Sequence, residues 1–243
     1  MIKHLRATIA RNLAGLGDEA RIATHETAEK IEALRADEKI SDRYRDDQIQ
    51  QLREDLTQRL DEIRAEADGD RDRLLAEAGK LDLPQGDAAA QLLAETRQGK
   101  AWNRVRAQLD AGRGHHEIFA EAVTRGDRDM ILAMRAELPS FLESQQKRPG
   151  GIANRMIEPL ELGQLRHALD LGLAKALGDD DGVGTAARLR LTATTQHAVA
   201  AGQVELGQKG RGNLPAAFAA TTALRTAERT MQELGDTAEP DAV

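Results

Sequence analysis

The sequence predicts an all-α protein, and three observations carry that expectation. Aromatic residues make up only 2% of the chain. Large rings supply much of the buried area in thick mixed cores, so packing here falls to Ala and Leu, the strongest helix formers. Apolar residues recur at spacings of three and four, the mark of one helical face. The β-branched residues are scattered without the alternation of a strand. The architecture expected is a long N-terminal helical hairpin or coiled-coil arm, then a bundle of short helices, then an Ala/Gly-rich helical C-terminal region. In residue numbers the division is 1–83, 84–145 and 146–243.

The first element is "MIKHLRATIARNLAGLG". Ile2, Leu5, Ile9, Leu13 and Leu16 form a single stripe, with Lys3, Arg6 and Arg11 off it. Such a segment folds onto its own protein, docks on a partner, or lies on an anionic surface. Gly15 and Gly17 are expected to end it, with Asp18 capping the next helix. A weak stripe of Ile22, Ala28, Ile31 and Leu34 follows, and Ile40 with Ser41 marks a break, Ser41 being a candidate N-cap.

From there "IQQLREDLTQRLDEIRAEAD" sets a narrow seam: Ile49, Leu52, Leu56, Leu60, Ile63 and Ala67, close to a seven-residue repeat. A ridge of about two residues in seven suits pairing with one neighbouring helix better than burial in a bundle, which takes about three in seven. The neighbour is either the preceding helix folded back or a second copy. Residues 18–82 carry 12 basic and 20 acidic side chains, so the outer face is acidic, whereas residues 1–17 carry three basic and none acidic. Gly69 is a candidate bend, and Pro84 with Gly86 stops the helix.

Asp87 is placed to cap short helices over 88–97, 101–111, 115–124 and 128–137, punctuated by Gly99, Gly112, Gly114 and Gly126. Trp102, Val105 and Leu109, then Ile118, Phe119, Ala122 and Val123, then Met130, Ile131, Met134 and Leu138 give three stripes that form a miniature core. Pro139 is expected to turn the chain. "QKRPGG" at 146–151 marks a boundary, and Leu162, Leu165, Leu169 and Leu173 define a helix ending at "GDDDGVG". The last third is rich in Ala, Thr and Gly, residues that allow close helix approach. The acidic tail "DTAEPDAV" is expected to be loose.

Several chemistries are excluded or disfavoured. With no cysteine there are no disulfides, thiol nucleophiles or thiolate metal sites. "DDDG" at 179–182 fails the calcium-loop pattern, because the twelfth position from Asp179 is Arg190. His115 and His116 point about 100° apart on a helix, no HExxH occurs, and no metal site is expected. The glycines of "GDDDGVG" and "GQKGRGN" match neither a phosphate loop nor a dinucleotide fingerprint. Ser41, Ser140 and Ser144 lie outside any GxSxG. The carboxylates read as a solvated face, since a general acid needs a pocket to shift it. "QKGRG" with Arg225 and Arg229, clustered with Lys147, Arg148 and Arg155, would be needed for phosphate contact. At a net charge of −7 and without a stacking platform, nucleic-acid binding is not expected.

Two stretches, "DEKISDRYRDDQIQQLREDLTQRLDEIRAEAD" and "FAEAVTRGDRDMILAMRAELPSFLESQ", covering about a quarter of the chain, resemble small helical structural proteins encoded by tailed phages and prophages of high-GC Gram-positive hosts. The resemblance implies a virion or assembly role in or around the head and transfers no catalytic or binding residue. The function expected is that of a non-enzymatic, head-associated structural protein. A capsid scaffolding protein and a cytoplasmic coiled-coil adaptor unrelated to virions are the alternatives. Contacts with copies of itself or other virion proteins are expected through Ile2, Leu5, Ile9, Leu13, Ile49, Leu52, Leu56, Leu60 and Ile63. No cofactor, metal, small-molecule substrate, nucleic acid or membrane is expected as a partner. The place expected is the virion or the host cytoplasm, with no secretion and no membrane span.

Overall fold

A computed structural model describes residues 2–82, 86–146, 159–179, 181–209 and 214–235. Among them the chain forms eight helices and no strand: α1 (Ile2–Ala36), α2 (Asp42–Asp82), α3 (Ala88–Asp110), α4 (His115–Arg125), α5 (Arg128–Gln146), α6 (Pro159–Leu177), α7 (Gly182–Lys209) and α8 (Leu214–Glu233). The all-α expectation holds. The boundary at "QKRPGG" and the acidic tail lie largely or wholly outside the described residues.

Three expected breaks are absent, and α2 is continuous through the candidate bend at Gly69. α1 runs through Gly15 and Gly17, α2 through Gly69, α3 through Gly99 and α5 through Pro139. A helical glycine costs about 1 kcal/mol relative to alanine, too little to break a helix held by packing on both sides. Leu13, Leu16 and Ala20 are buried around the first pair, and Ala67 and Leu74 around Gly69. Pro139 removes a single intrahelical bond, and the burial of Leu138 beside it anchors the turn.

Several of the true helix boundaries carry side-chain N-caps or a left-handed C-cap. Ser41 Oγ accepts from the Tyr44 amide at 3.4 Å, and Asp87 Oδ1 accepts from the Ala90 amide at 2.9 Å. Gly126 ends α4 at φ 64°, ψ 30°, a left-handed conformation that glycine adopts without strain. The α1–α2 corner is closed by Arg45, whose guanidinium donates to the carbonyls of Leu34 (3.1 Å) and Asp37 (2.9 Å). These are carbonyls that the end of α1 would leave without partners.

The chain divides into two compact units rather than the three consecutive segments expected. One unit comprises residues 1–76 and 192–243; the other comprises 77–191. The Ala/Thr/Gly-rich C-terminal region is therefore no separate domain, because its small residues pack with the N-terminal helices.

In the first unit α7 is the element the others share. A Cβ placed at Gly17 of α1 would lie 3.6 Å from the Ala200 backbone, and one at Gly202 would lie 2.9 Å from Ala220 Cα of α8. At Gly207 it would lie 2.5 Å from Thr24 Oγ1 and 2.8 Å from Leu60 Cδ1. The core includes Ile9, Leu13, Leu60, Ile63 and Val204 with Ala193 and Ala200 of α7 and Ala216, Ala220 and Ala227 of α8.

The second unit packs α3, α4, α5 and α6 together with the last turn of α2 and the first turns of α7. Its core holds Val105, Ile118, Ile131, Met134, Leu138, Leu169, Leu173 and Leu189. The Phe119 ring and Val123 of α4 fill the place where Gly172 of α6 has no side chain. Trp102 and Phe141 meet edge to face at 5.6 Å. The three sequence stripes of the miniature core thus converge as expected.

Candidate functional site

The second unit carries a cleft of about 850 Å³ lined by α3, α5, α6, the end of α2 and the start of α7. Pockets of this size suit small ligands, with an apolar floor and a few converging polar groups. The floor includes Leu81, Leu132, Ala136, Leu169 and Val183; the charged lining includes Asp82, Glu95, Arg97, Arg128, Asp129, Arg135, Arg166, Asp170 and Asp181.

Helix register places these groups. Arg128, Leu132, Arg135 and Ala136 recur at three and four residues along α5, so one face of that helix supplies a wall. Arg166, Leu169 and Asp170 do the same from α6.

At the centre is Arg135, three-quarters buried. Its Nε donates to Asp170 Oδ1 at 2.6 Å, and Nη1 reaches Asp82 Oδ2 at 3.4 Å. Asp82 also takes an ion pair from Arg190. Burial works against the Arg135 charge, but the carboxylates of Asp170 and then Asp82 outweigh it and hold its pKa above the ordinary arginine value. The result is a chain of two arginines and two aspartates that ties α2, α5, α6 and α7 together inside this unit.

A second pair closes the mouth. Arg128 Nη1 donates to Asp181 Oδ2 at 2.7 Å. The other oxygen, Asp181 Oδ1, accepts from the amides of Val183 (2.8 Å) and Gly184 (3.2 Å) as the cap of α7. The "DDDG" stretch is thus a helix stop and start: Asp181 is committed to a cap and an arginine, and Asp179 to Arg188 at 2.6 Å.

Chemically, the centre of this cleft is a set of linked ion pairs. General acid–base catalysis uses a group poised between its protonation states near the working pH. Here Asp82 and Asp170 are engaged in ion pairs with Arg135 and Arg190. Among the described residues no group of three His, Asp or Glu is placed to hold a metal ion.

The histidines do other work. His115 and His116 stack at the start of α4 with ring centroids 3.9 Å apart. Burial, then the neighbouring ring, lowers the His115 pKa. His197 of α7 meets Asp68 of α2 at 2.7 Å, and Arg71 lies 3.3 Å from the same ring nitrogen and 3.0 Å from Asp68. His25 faces Glu29 at 3.4 Å along α1.

Five of the nine residues expected to bind partners are buried within the chain. Ile9, Leu13, Ile49, Leu60 and Ile63 are buried in the first unit's own core, and Leu52 and Leu56 are half-buried. Ile2 and Leu5 fall within α1, but their side chains lie outside what the structure describes. The narrow seam of α2 has more than one neighbour. Arg59 pairs with Glu19 of α1, Gln208 of α7 donates to Asp61 at 2.8 Å, and His197 reaches Asp68. The expectation of a single partner helix fails because α7 is narrow, so two helices can lie close over one thin ridge.

Of the basic cluster considered for phosphate contact, Lys147, Arg148, Arg155 and Arg211 lie outside the described residues. Lys209 pairs with Glu205, and Arg229 with Glu233 at 2.8 Å.

The outward faces carry a few large apolar side chains: Leu92 and Leu93 on α3, Phe218 and Leu224 on α8, with Ile22 and Tyr44 on α1 and α2. Leu92 is 65% exposed and Phe218 75%. Sequence reasoning placed a helix over 88–97 but overlooked the outward apolar side chains of α3 and α8, although "AAAQLLA" at 88–94, apolar in six places of seven, was a usable signal for α3. No described helix is long and apolar enough to cross a membrane. No family model, curated protein or solved structure matches the chain.

Proposed function

We propose that the protein is a non-enzymatic structural component of a tailed-phage particle, associated with the head and holding neighbouring subunits through the outward faces of its helices. The observation that carries the non-enzymatic reading is the state of the cleft. Its deepest charged groups, Asp82, Arg135, Asp170 and Arg190, are paired to one another and so serve as a tie between helices. The phage setting rests on the two stretches at 37–68 and 119–145 and their resemblance to helical virion proteins. With the leucine–isoleucine ridge of α2 covered inside its own unit, contact with neighbours passes to exposed positions such as Leu92, Leu93 and Phe218.

Mass spectrometry of purified mature particles and of precursor shells, quantified against the shell protein, tests the reading. A fixed copy number in mature particles is the expected result. Presence in precursors alone would make the protein a scaffold, and absence from both would overturn the proposal.

A further inference from the structure

We draw no further inference here: the strongest candidate, the exposed apolar surface on the first turns of α3 around Leu92 and Leu93, carries nothing because its flanking charges Glu95 and Arg97 fall on opposite sides of the helix and nothing in the structure shows what covers it.

Discussion

Replacing Gly202 with alanine tests the closest helix approach in the first unit. The added Cβ would sit 2.9 Å from Ala220 Cα and 3.2 Å from its Cβ, whereas carbon atoms prefer about 3.5–4.0 Å. The obstacle is backbone, so α8 must retreat by roughly 0.6–1 Å and loosen Ala216, Ala220 and Ala227, all buried. Overpacking of this kind costs about 1–3 kcal/mol, and the helix preference for alanine returns about 0.5–1 kcal/mol. The net loss is about 1 kcal/mol, which lowers Tm by about 2–4 °C for a chain of this size. Gly69→Ala is the control. It adds the same methyl group to α2 with nothing within 4 Å and should raise stability by about 0.5–1 kcal/mol. Thermal melts followed by circular dichroism read both. Amide exchange should show α8 losing protection in the first variant only. Melting of Gly202→Ala at or above the parent temperature, with α8 equally protected, would refute the small-residue account of α7–α8 packing.

Further tests separate core, surface and ion pairs. Leu60→Ala, at a fully buried site, should cost about 2–5 kcal/mol in urea unfolding, whereas Leu92→Ala should stay within about 0.5 kcal/mol; equal costs would mean the burial pattern is wrong. Arg135→Met leaves Asp170 without its 2.6 Å partner and should destabilise by about 2–4 kcal/mol. Adding Asp170→Leu should recover some of that loss, and strict additivity in the double-mutant cycle would deny the pairing. Glu121 is held below the ordinary glutamate pKa by its hydrogen bond from Arg113 and then by the charge of Arg125. Its contribution to stability is therefore complete above the ordinary glutamate range and fades as pH falls through the depressed value. Carboxyl NMR titration should show Glu121 moving up in Arg113→Ala; an unmoved midpoint would rule out that bond.

The fold class was legible because helix is written locally, in spacing and in the rarity of aromatic and β-branched residues. The caps at Ser41, Asp87 and Gly126 were legible for the same reason: each is a short-range device. The breaks expected at Gly17, Gly99 and Pro139 went the other way. Each rests on a local penalty of about 1–3 kcal/mol, and burial of neighbours such as Leu16, Ala101 and Leu138 offsets it. The cleft was not legible at all. Arg135, Asp82, Asp170 and Arg190 are separated by 20 to 108 positions, and nothing in their spacing announces that three helices and a helix end bring them together.

The C-terminal third shows what composition alone leaves open. Its low content of large side chains looks like a segment without a core, yet a helix of Ala, Gly and Thr can approach its neighbours more closely than one of Leu or Phe. α7 uses that freedom on α1 at Gly17 and Ala200, on α8 at Gly202 and Ala220, and on α2 at Gly207 and Leu60. Larger side chains fill two of these contacts: Leu60 of α2 at Gly207, and Val199 of α7 itself at Gly17 of α1. The thin ridge on α2 and the small-residue stripe on α7 are thus two halves of one packing solution, each under-filled alone. A sequence reading that scores helices one at a time sees a thin ridge and leaves open whether the preceding helix or a second copy covers it. Close packing between unequal faces satisfies it within the chain, and that moves the search for partners to the exposed leucines and phenylalanine of α3 and α8.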